Sequence, residues 1–189
     1  MATPTVVLDA CVLYPAPLRD LLLWLAVTGL YRPRWTEAIH GEWMESLLRE
    51  RPDLARNRLE RTRDLMNQAV PDCLVLGYEG LIVSLFLPDP DDRHVLAAAI
   101  HAGAESIVTY NLGDFPATAL ATHGVQAQHP DEFIAHFLEI DLVGVCGAVR
   151  KHRESLRNPP KTVDEYLATV ARLSLPRTVA ALTATKELL

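Results

Sequence analysis

Residues 5–15 read Thr-Val-Val-Leu-Asp-Ala-Cys-Val-Leu-Tyr-Pro (TVVLDACVLYP). The first four residues are β-branched or apolar at alternate and intervening positions alike, the pattern of a strand buried on both faces. Such a strand belongs in a parallel sheet covered by helices, where functional groups gather at the carboxyl ends of strands. Asp9 stands at that end, with apolar residues on either side. A carboxylate in those surroundings is partly buried, at a cost of several kcal/mol unless a partner offsets it. A metal ion would serve, and so would an arginine.

Outward from this strand, helical and extended stretches alternate. Leu18–Leu30 has helical character and Gly29 is a natural stop. Tyr31–Trp35, with Pro33 inside it, reads as an extended link. Thr36 is a candidate N-cap for a helix to about Arg49, whose apolar positions Ile39, Trp43 and Leu47 recur every four residues. Pro52 and Pro71 bracket a charged helix over about 54–70. Cys73–Leu76 resembles a second buried strand, and Tyr78–Leu87 is more helical than not. A polar loop, Pro88-Asp89-Pro90-Asp91-Asp92, opens a helix that runs to Gly103, placed where a C′ residue belongs. Ser106–Thr109 is a third strand, Val125–Gln128 a weak fourth, and Pro130–Ile140 a short helix. This order predicts an α/β fold of three layers, a parallel sheet flanked by helices. From Asp141 the apolar runs are helical only, split by Asn158-Pro159-Pro160 and by Pro176. The expected organisation is a domain over 1–140 and a C-terminal helical extension over 141–189, whose Tyr166, Leu167, Val170, Leu173, Val179 and Leu182 need a surface to cover them.

The 189 residues are 49% hydrophobic, enough for a sizeable core. The amino terminus has no basic stretch before its apolar run and does not read as a leader. No apolar stretch approaches the length of a membrane span. Three widely spaced cysteines, Cys11, Cys73 and Cys146, suit a reducing cytoplasm better than a disulfide framework. The net charge of −6 counts mildly against a nucleic-acid partner. A carboxylate site loaded with cation would lose that charge locally. The basic run Arg150, Lys151, Arg153, Arg157 and Lys161, opposed only by Glu154, suits a solvated helix face or an RNA contact equally.

Two further acids fall near strand ends. Asp114 follows the third strand, and Asp92 opens the helix that leads into it. Capping of that helix is the plainer role for Asp91 and Asp92. Several carboxylates without ligand-spaced His or Cys favour Mg²⁺ or Mn²⁺ over zinc. The chemistry they suit is phosphodiester hydrolysis by metal-activated water. A phosphatase using a nucleophilic Asp-x-Asp pair is disfavoured, because Ala10-Cys11 follows Asp9.

Four segments taken together, VVLDACVLYP, WTEAIHGEWMESLL, PDPDDRHVLAAAI and IVTYNLGDFP, resemble the PIN-domain ribonucleases, and within them the VapC-type toxins of type II toxin–antitoxin pairs. The resemblance covers about residues 4–135. It implies a PIN-like fold and a cytoplasmic, Mg²⁺- or Mn²⁺-dependent endoribonuclease with an RNA substrate, a cognate antitoxin and a homodimeric state. It also implies a metal site of Asp9, Glu42 and Asp92. At the fourth position, where many relatives carry Thr-x-Asp, this chain has Thr109-Tyr110-Asn111, and the acid arrives at Asp114. Both Asn111 and Asp114 are therefore carried as metal-site residues. Arg93, His94 and Thr109 are candidates for substrate or site contacts, with His94 also able to assist proton transfer. Trp35 and Trp43 could stack on bases but fit a core better. The alternative is a PIN-fold binding module for RNA or protein, its catalysis weakened at Asn111.

Overall fold

Strand β1, Thr5–Leu8, is buried at every residue and is central. It pairs in parallel with β2, Arg32–Arg34, on one side and β3, Ser106–Val108, on the other. β4, Gln126–Gln128, adds to β3 in parallel, giving the order β2-β1-β3-β4. The computed structural model describes residues 3–189. Between strands lie α1 (Ala10–Leu13), α2 (Ala16–Val27), α3 (Glu37–Glu50), α4 (Arg56–Ala69), α5 (Glu79–Ile82), α6 (Arg93–His101) and α7 (Ala117–Leu120). Four helices complete the chain: α8 (Pro130–Ile140), α9 (Leu142–Ser155), α10 (Val163–Ala171) and α11 (Pro176–Ala184). The parallel sheet, its helical cover and the C-terminal helices follow the pattern expected from sequence.

Two expectations are corrected. The second strand is not Cys73–Leu76 but Arg32–Arg34, the stretch expected to be a link. Residues 73–75 pair with the outer edge at a single bridge, where Trp35 N–H donates to Cys73 O at 3.0 Å and Val75 N–H donates to Trp35 O at 2.9 Å. Residues of like parity on a strand direct their backbone groups to the same side, so Pro33 would have to extend this outer ladder. Pro33 has no N–H, and the pairing stops. The helix expected over Tyr78–Leu87 is likewise only the four residues of α5, with Val83 and Phe86 exposed beyond it.

Local chemistry explains the elements that set up the site. Thr36 caps α3 by accepting from Ile39 N–H at 3.1 Å. Gly103, at φ 61°, takes the left-handed turn after α6 that a side chain would resist. Trp35 and Trp43 are both buried and join one polar knot: Trp35 Nε1 donates to Asn67 Oδ1 at 2.8 Å, and Trp43 Nε1 donates to His40 Nδ1 at 3.0 Å. They serve the core, not stacking on bases. The buried Arg19 of α2 donates to Leu13 O at 3.1 Å and lies 5.0 Å from the Trp43 ring, fixing the end of α1 against α3.

The C-terminal helices share this core. Tyr166, Val170, Leu175 and Leu182 are buried in the same apolar cluster as Val6, Leu25 and Ile107. Asp131 of α8 receives the first N–H groups of α11, from Arg177 at 2.9 Å and Thr178 at 2.8 Å. The basic run is partly consumed in this packing. Arg150 donates to Leu188 O, Arg153 to Lys161 O, and Lys161 to Thr169 Oγ1. Among the described residues, no helix is long and apolar enough to cross a membrane.

Candidate functional site

The carboxyl edge of the sheet holds Asp9 and Thr109 side by side. Asp9 N–H donates to Val108 O at 3.1 Å and Thr109 N–H to Gln128 O at 3.0 Å, so backbone pairing extends one residue past the strands and fixes both. The Thr109 hydroxyl then donates to Asp9 Oδ2 at 2.7 Å, and Ala10 N–H donates to Oδ1 at 2.6 Å. Cys11 completes the support: its thiol donates to Asp9 Oδ2 at 3.2 Å, and Tyr110 N–H donates to its sulfur at 3.2 Å. Thr109 Oγ1 also accepts from Asn111 N–H at 2.9 Å, which ties the turn after β3 to the same carboxylate.

Asp9 is only 4% exposed, and no arginine pairs with it among the described residues. Burial raises its pKa above the ordinary carboxylate range despite the donors from Thr109, Cys11 and Ala10. The neighbouring Cys11 thiol is pushed up to about 12 by burial and by the Asp9 charge, so it is a hydrogen-bonding prop and not a nucleophile.

Asp92 lies across the site. Burial, then the charges of Asp9, Asp114, Asp89 and Glu42, push its carboxyl up to about 7. Asp92 stands at the N-cap position of α6, but its side chain makes no capping hydrogen bond there; Asp89 caps the preceding 3-10 turn, Pro90–Asp92, accepting from Asp91 N–H at 2.9 Å. The plainer explanation of Asp92 is thereby removed, and its carboxylate is left facing other acids. Glu42, exposed on α3 beside buried Trp43, accepts from or shares a proton with His94 Nε2 at 2.6 Å. Burial draws the His94 pKa down, but the Glu42 hydrogen bond and the charges of Glu42, Asp9 and Asp92 outweigh it, and the net shift is upward.

A cavity of about 380 Å³ opens over these groups, lined by Asp9, Cys11, Glu42, Asp92 and Asn111. Of the residues singled out in the sequence, Asp9, Glu42, Asp92 and Asn111 reach its wall. Asp114 sits in the 3-10 turn Leu112–Asp114 and acts on Asp92 through its charge. Thr109 stands behind Asp9, His94 bonds to Glu42, and the Arg93 guanidinium lies 5.8 Å from the exposed Phe86 ring. The sequence reading missed Cys11 and, on the cavity's other side, Tyr14, Ser46 and Glu50. The last two were detectable, since they follow Glu42 at four and eight residues on a helix already expected. Among the described residues, no three His, Cys, Asp or Glu side chains close into a ready cluster for a metal. The donor set is nonetheless all oxygen, crowded and short of positive charge, which suits a hard divalent cation.

A PIN domain model matches residues 5–113, the span that carries all these groups except Asp114. The chain belongs to the PIN domain family. A second model, the VapC50 C-terminal domain, matches residues 130–184, so the helices after β4 also have a counterpart. A protein of Mycobacterium tuberculosis named "Putative ribonuclease VapC50" is 45% identical over 91 residues, covering 48% of this chain and 53% of that protein. The PIN chain thus spans about half the length of this curated relative in the match. No solved structure matches it.

Proposed function

We propose that the protein is a metal-dependent endoribonuclease of the VapC type, hydrolysing RNA phosphodiester bonds at the cavity over Asp9. The observation that carries this reading is the gathering of Asp9, Glu42, Asp89 and Asp114 around a partly buried Asp92, whose carboxyl is pushed up to about 7 by burial first and by these charges second, with His94 bonded to Glu42. Fold stability alone gives no reason for such an arrangement, because like charges at close range oppose folding. A PIN domain and a relative named as a ribonuclease support it.

Asp9, Glu42 and Asp92 would hold Mg²⁺ or Mn²⁺, with Asn111 contributing its carbonyl oxygen and Asp114 its charge. The cation would supply a nucleophilic water at neutral pH and offset charge on the phosphoryl group under attack. Thr109 and Cys11 orient Asp9, leaving it no freedom to swing away. His94 orients Glu42 from behind and holds a proton at Nε2 that balances the surplus charge. Arg93, beside Asp92, contacts substrate phosphate. The antitoxin, the cytoplasmic setting and the homodimer follow from the same VapC reading; the free cysteines support the reducing compartment. Residues 1–140 carry the nuclease chemistry in this scheme, and 141–189 stabilise it.

The test is direct. The purified chain cleaves RNA in Mg²⁺ or Mn²⁺, EDTA abolishes cleavage, and calorimetric titration detects Mn²⁺ binding that Asp9→Ala removes. Undiminished metal-dependent cleavage by Asp9→Ala would sink the proposal.

A further inference from the structure

Glu42, Ser46 and Glu50 stand one helical turn apart on α3, and all three line the cavity. At 1.5 Å per residue they form a wall about 12 Å long. One end of it is the acidic centre. At the other, Tyr14 lines the cavity and its hydroxyl donates to Glu50 Oε2 at 2.5 Å. This pair spans two elements, the end of α1 and the end of α3, yet it is exposed, where such contacts contribute little to stability. It is also not neutralised: the fork of the adjacent Arg51 is turned to Asp53, at 2.8 Å and 2.7 Å.

A carboxylate in that position is unsuited to the RNA backbone, because phosphate and Glu50 repel one another. It is well suited to the edge of a base. Its Oε1 is left free by the tyrosine and can accept from an exocyclic amino group, as acidic side chains accept from cytosine N4. The Tyr14 ring supplies the flat surface on which a single-stranded base stacks, irrespective of its identity. We propose that Tyr14 and Glu50 form a base-reading subsite for single-stranded RNA that accepts a nucleobase with an exocyclic amino group and rejects uracil. Adenine, cytosine and guanine each offer such a donor. Uracil has no exocyclic amino group, and its one edge donor, N3–H, is flanked by two carbonyl oxygens that repel the carboxylate, so the pairing is poor where polar sites discriminate most strongly. Glu50 is then a selectivity residue, and the hydroxyl of Tyr14 fixes which oxygen does the selecting. The inference rests on the ribonuclease reading for its substrate class.

Binding tests it independently of turnover. Short oligoribonucleotides, identical but for one central base, are titrated against the full chain by fluorescence anisotropy with Ca²⁺ as the divalent ion. In parallel, cleavage of a randomised RNA pool is mapped in Mg²⁺. The wild-type chain disfavours uracil by about 10-fold at one position. Glu50→Gln, whose amide both donates and accepts, brings the four bases to within about 2-fold of each other. Tyr14→Ala lowers affinity for all four by about 10-fold, and Tyr14→Phe restores most of it. Melting curves by circular dichroism confirm that each variant is folded. Equal binding of all four bases by the wild-type chain overturns the subsite, as does a uracil bias that survives Glu50→Gln. Cleavage without base preference would leave the ribonuclease reading standing and remove the subsite. Base-selective binding erased by Glu50→Gln, without cleavage in any divalent ion, would do the reverse.

Discussion

Two aspartates in this molecule are equally buried, Asp9 and Asp131, each 4% exposed, and their surroundings differ in kind. Asp131 faces the start of α11 and receives two backbone N–H groups there, one on each oxygen. Its charge meets the positive end of a helix. Asp9 also receives donors, from Ala10, Thr109 and Cys11, but beyond them it faces Asp92 and Glu42. The first carboxylate is satisfied by the fold. The second is held in place by the fold and left in electrostatic deficit. Buried charge alone therefore does not mark a functional site; what marks it is burial whose compensation the chain itself does not complete.

The sharpest way to break that comparison is to neutralise each residue in turn. Asp9→Asn should lower RNA cleavage by more than about 100-fold, since ligands in direct contact matter more than the supporting groups whose loss costs 10–100-fold. Its melting temperature without metal should change by only roughly a few degrees, because relief of charge repulsion offsets the hydrogen bonds that the amide nitrogen cannot accept. A large fall in stability would show that Asp9 is structural like Asp131. Asp131→Ala should behave oppositely. It strips the α11 terminus of its acceptors and should cost about 3 kcal/mol, a fall in melting temperature of roughly 6–12 °C for a chain of this size. Mn²⁺ affinity of the folded fraction should be unchanged.

The asymmetry between these residues was only partly legible in the sequence. Asp9 was visible because a strand apolar on both faces must end on something unusual to carry an acid. Asp131 was not, because its partners are backbone groups of residues 177 and 178, and no side-chain pattern announces them. The same non-locality hid the pairing of Tyr14 with Glu50 and the edge strand at Arg32–Arg34. An Arg-Pro-Arg triplet has no strand signature; it becomes a strand because β1 lies beside it. Cys73–Leu76 has the signature but finds a partner for a single bridge, at Trp35. Asp92 could not be separated from a capping residue by sequence, because only the structure shows its side chain making no bond to the start of α6. The sheet, the helix order and the extension were written in local periodicity, whereas the supporting shell of the site was written in contacts across up to a hundred residues.

A pH series sharpens the comparison further. With its folded pKa raised from 3.8 to about 7, Asp92 keeps its proton in the native state over a range where the unfolded chain has lost it. The native state then binds more protons, so metal-free stability falls as pH rises from about 4 to about 7. The raised His94 pKa adds a further fall above its ordinary value of 6.5, the window in which the unfolded imidazole has already lost its proton. Burial lowers the pKa values of His40 and His152 and so opposes this slope. The contribution of Asp92 is therefore read as a difference, with the wild-type chain losing stability relative to Asp92→Asn as pH rises from 5 to 7 in metal-free thermal melts. Mn²⁺ should reverse the trend, raising the melting temperature most at pH 8 and least at pH 5, because it binds the carboxylate and competes with the proton. A slope unaffected by Asp92→Asn would place the excess charge elsewhere.

The smallest effect concerns how Asp9 is held. Thr109→Val keeps the volume and branching of a fully buried strand-end residue and removes one hydroxyl. Asp9 Oδ2 then loses its 2.7 Å donor and Asn111 N–H its acceptor. The stability cost should be about 1–2 kcal/mol, the range for leaving buried polar groups unpaired. The proton affinity of Asp9 should rise as well, since the Thr109 bond is the largest of the influences that lower its pKa. Metal binding should weaken most at the acid end of a pH series and recover toward the wild-type value as pH rises, because the proton competes with the cation for this carboxylate. A purely structural threonine would show the stability loss with no such dependence on pH. The recovery at high pH is thus the feature that separates a residue filling the core from one that tunes the acid beside it.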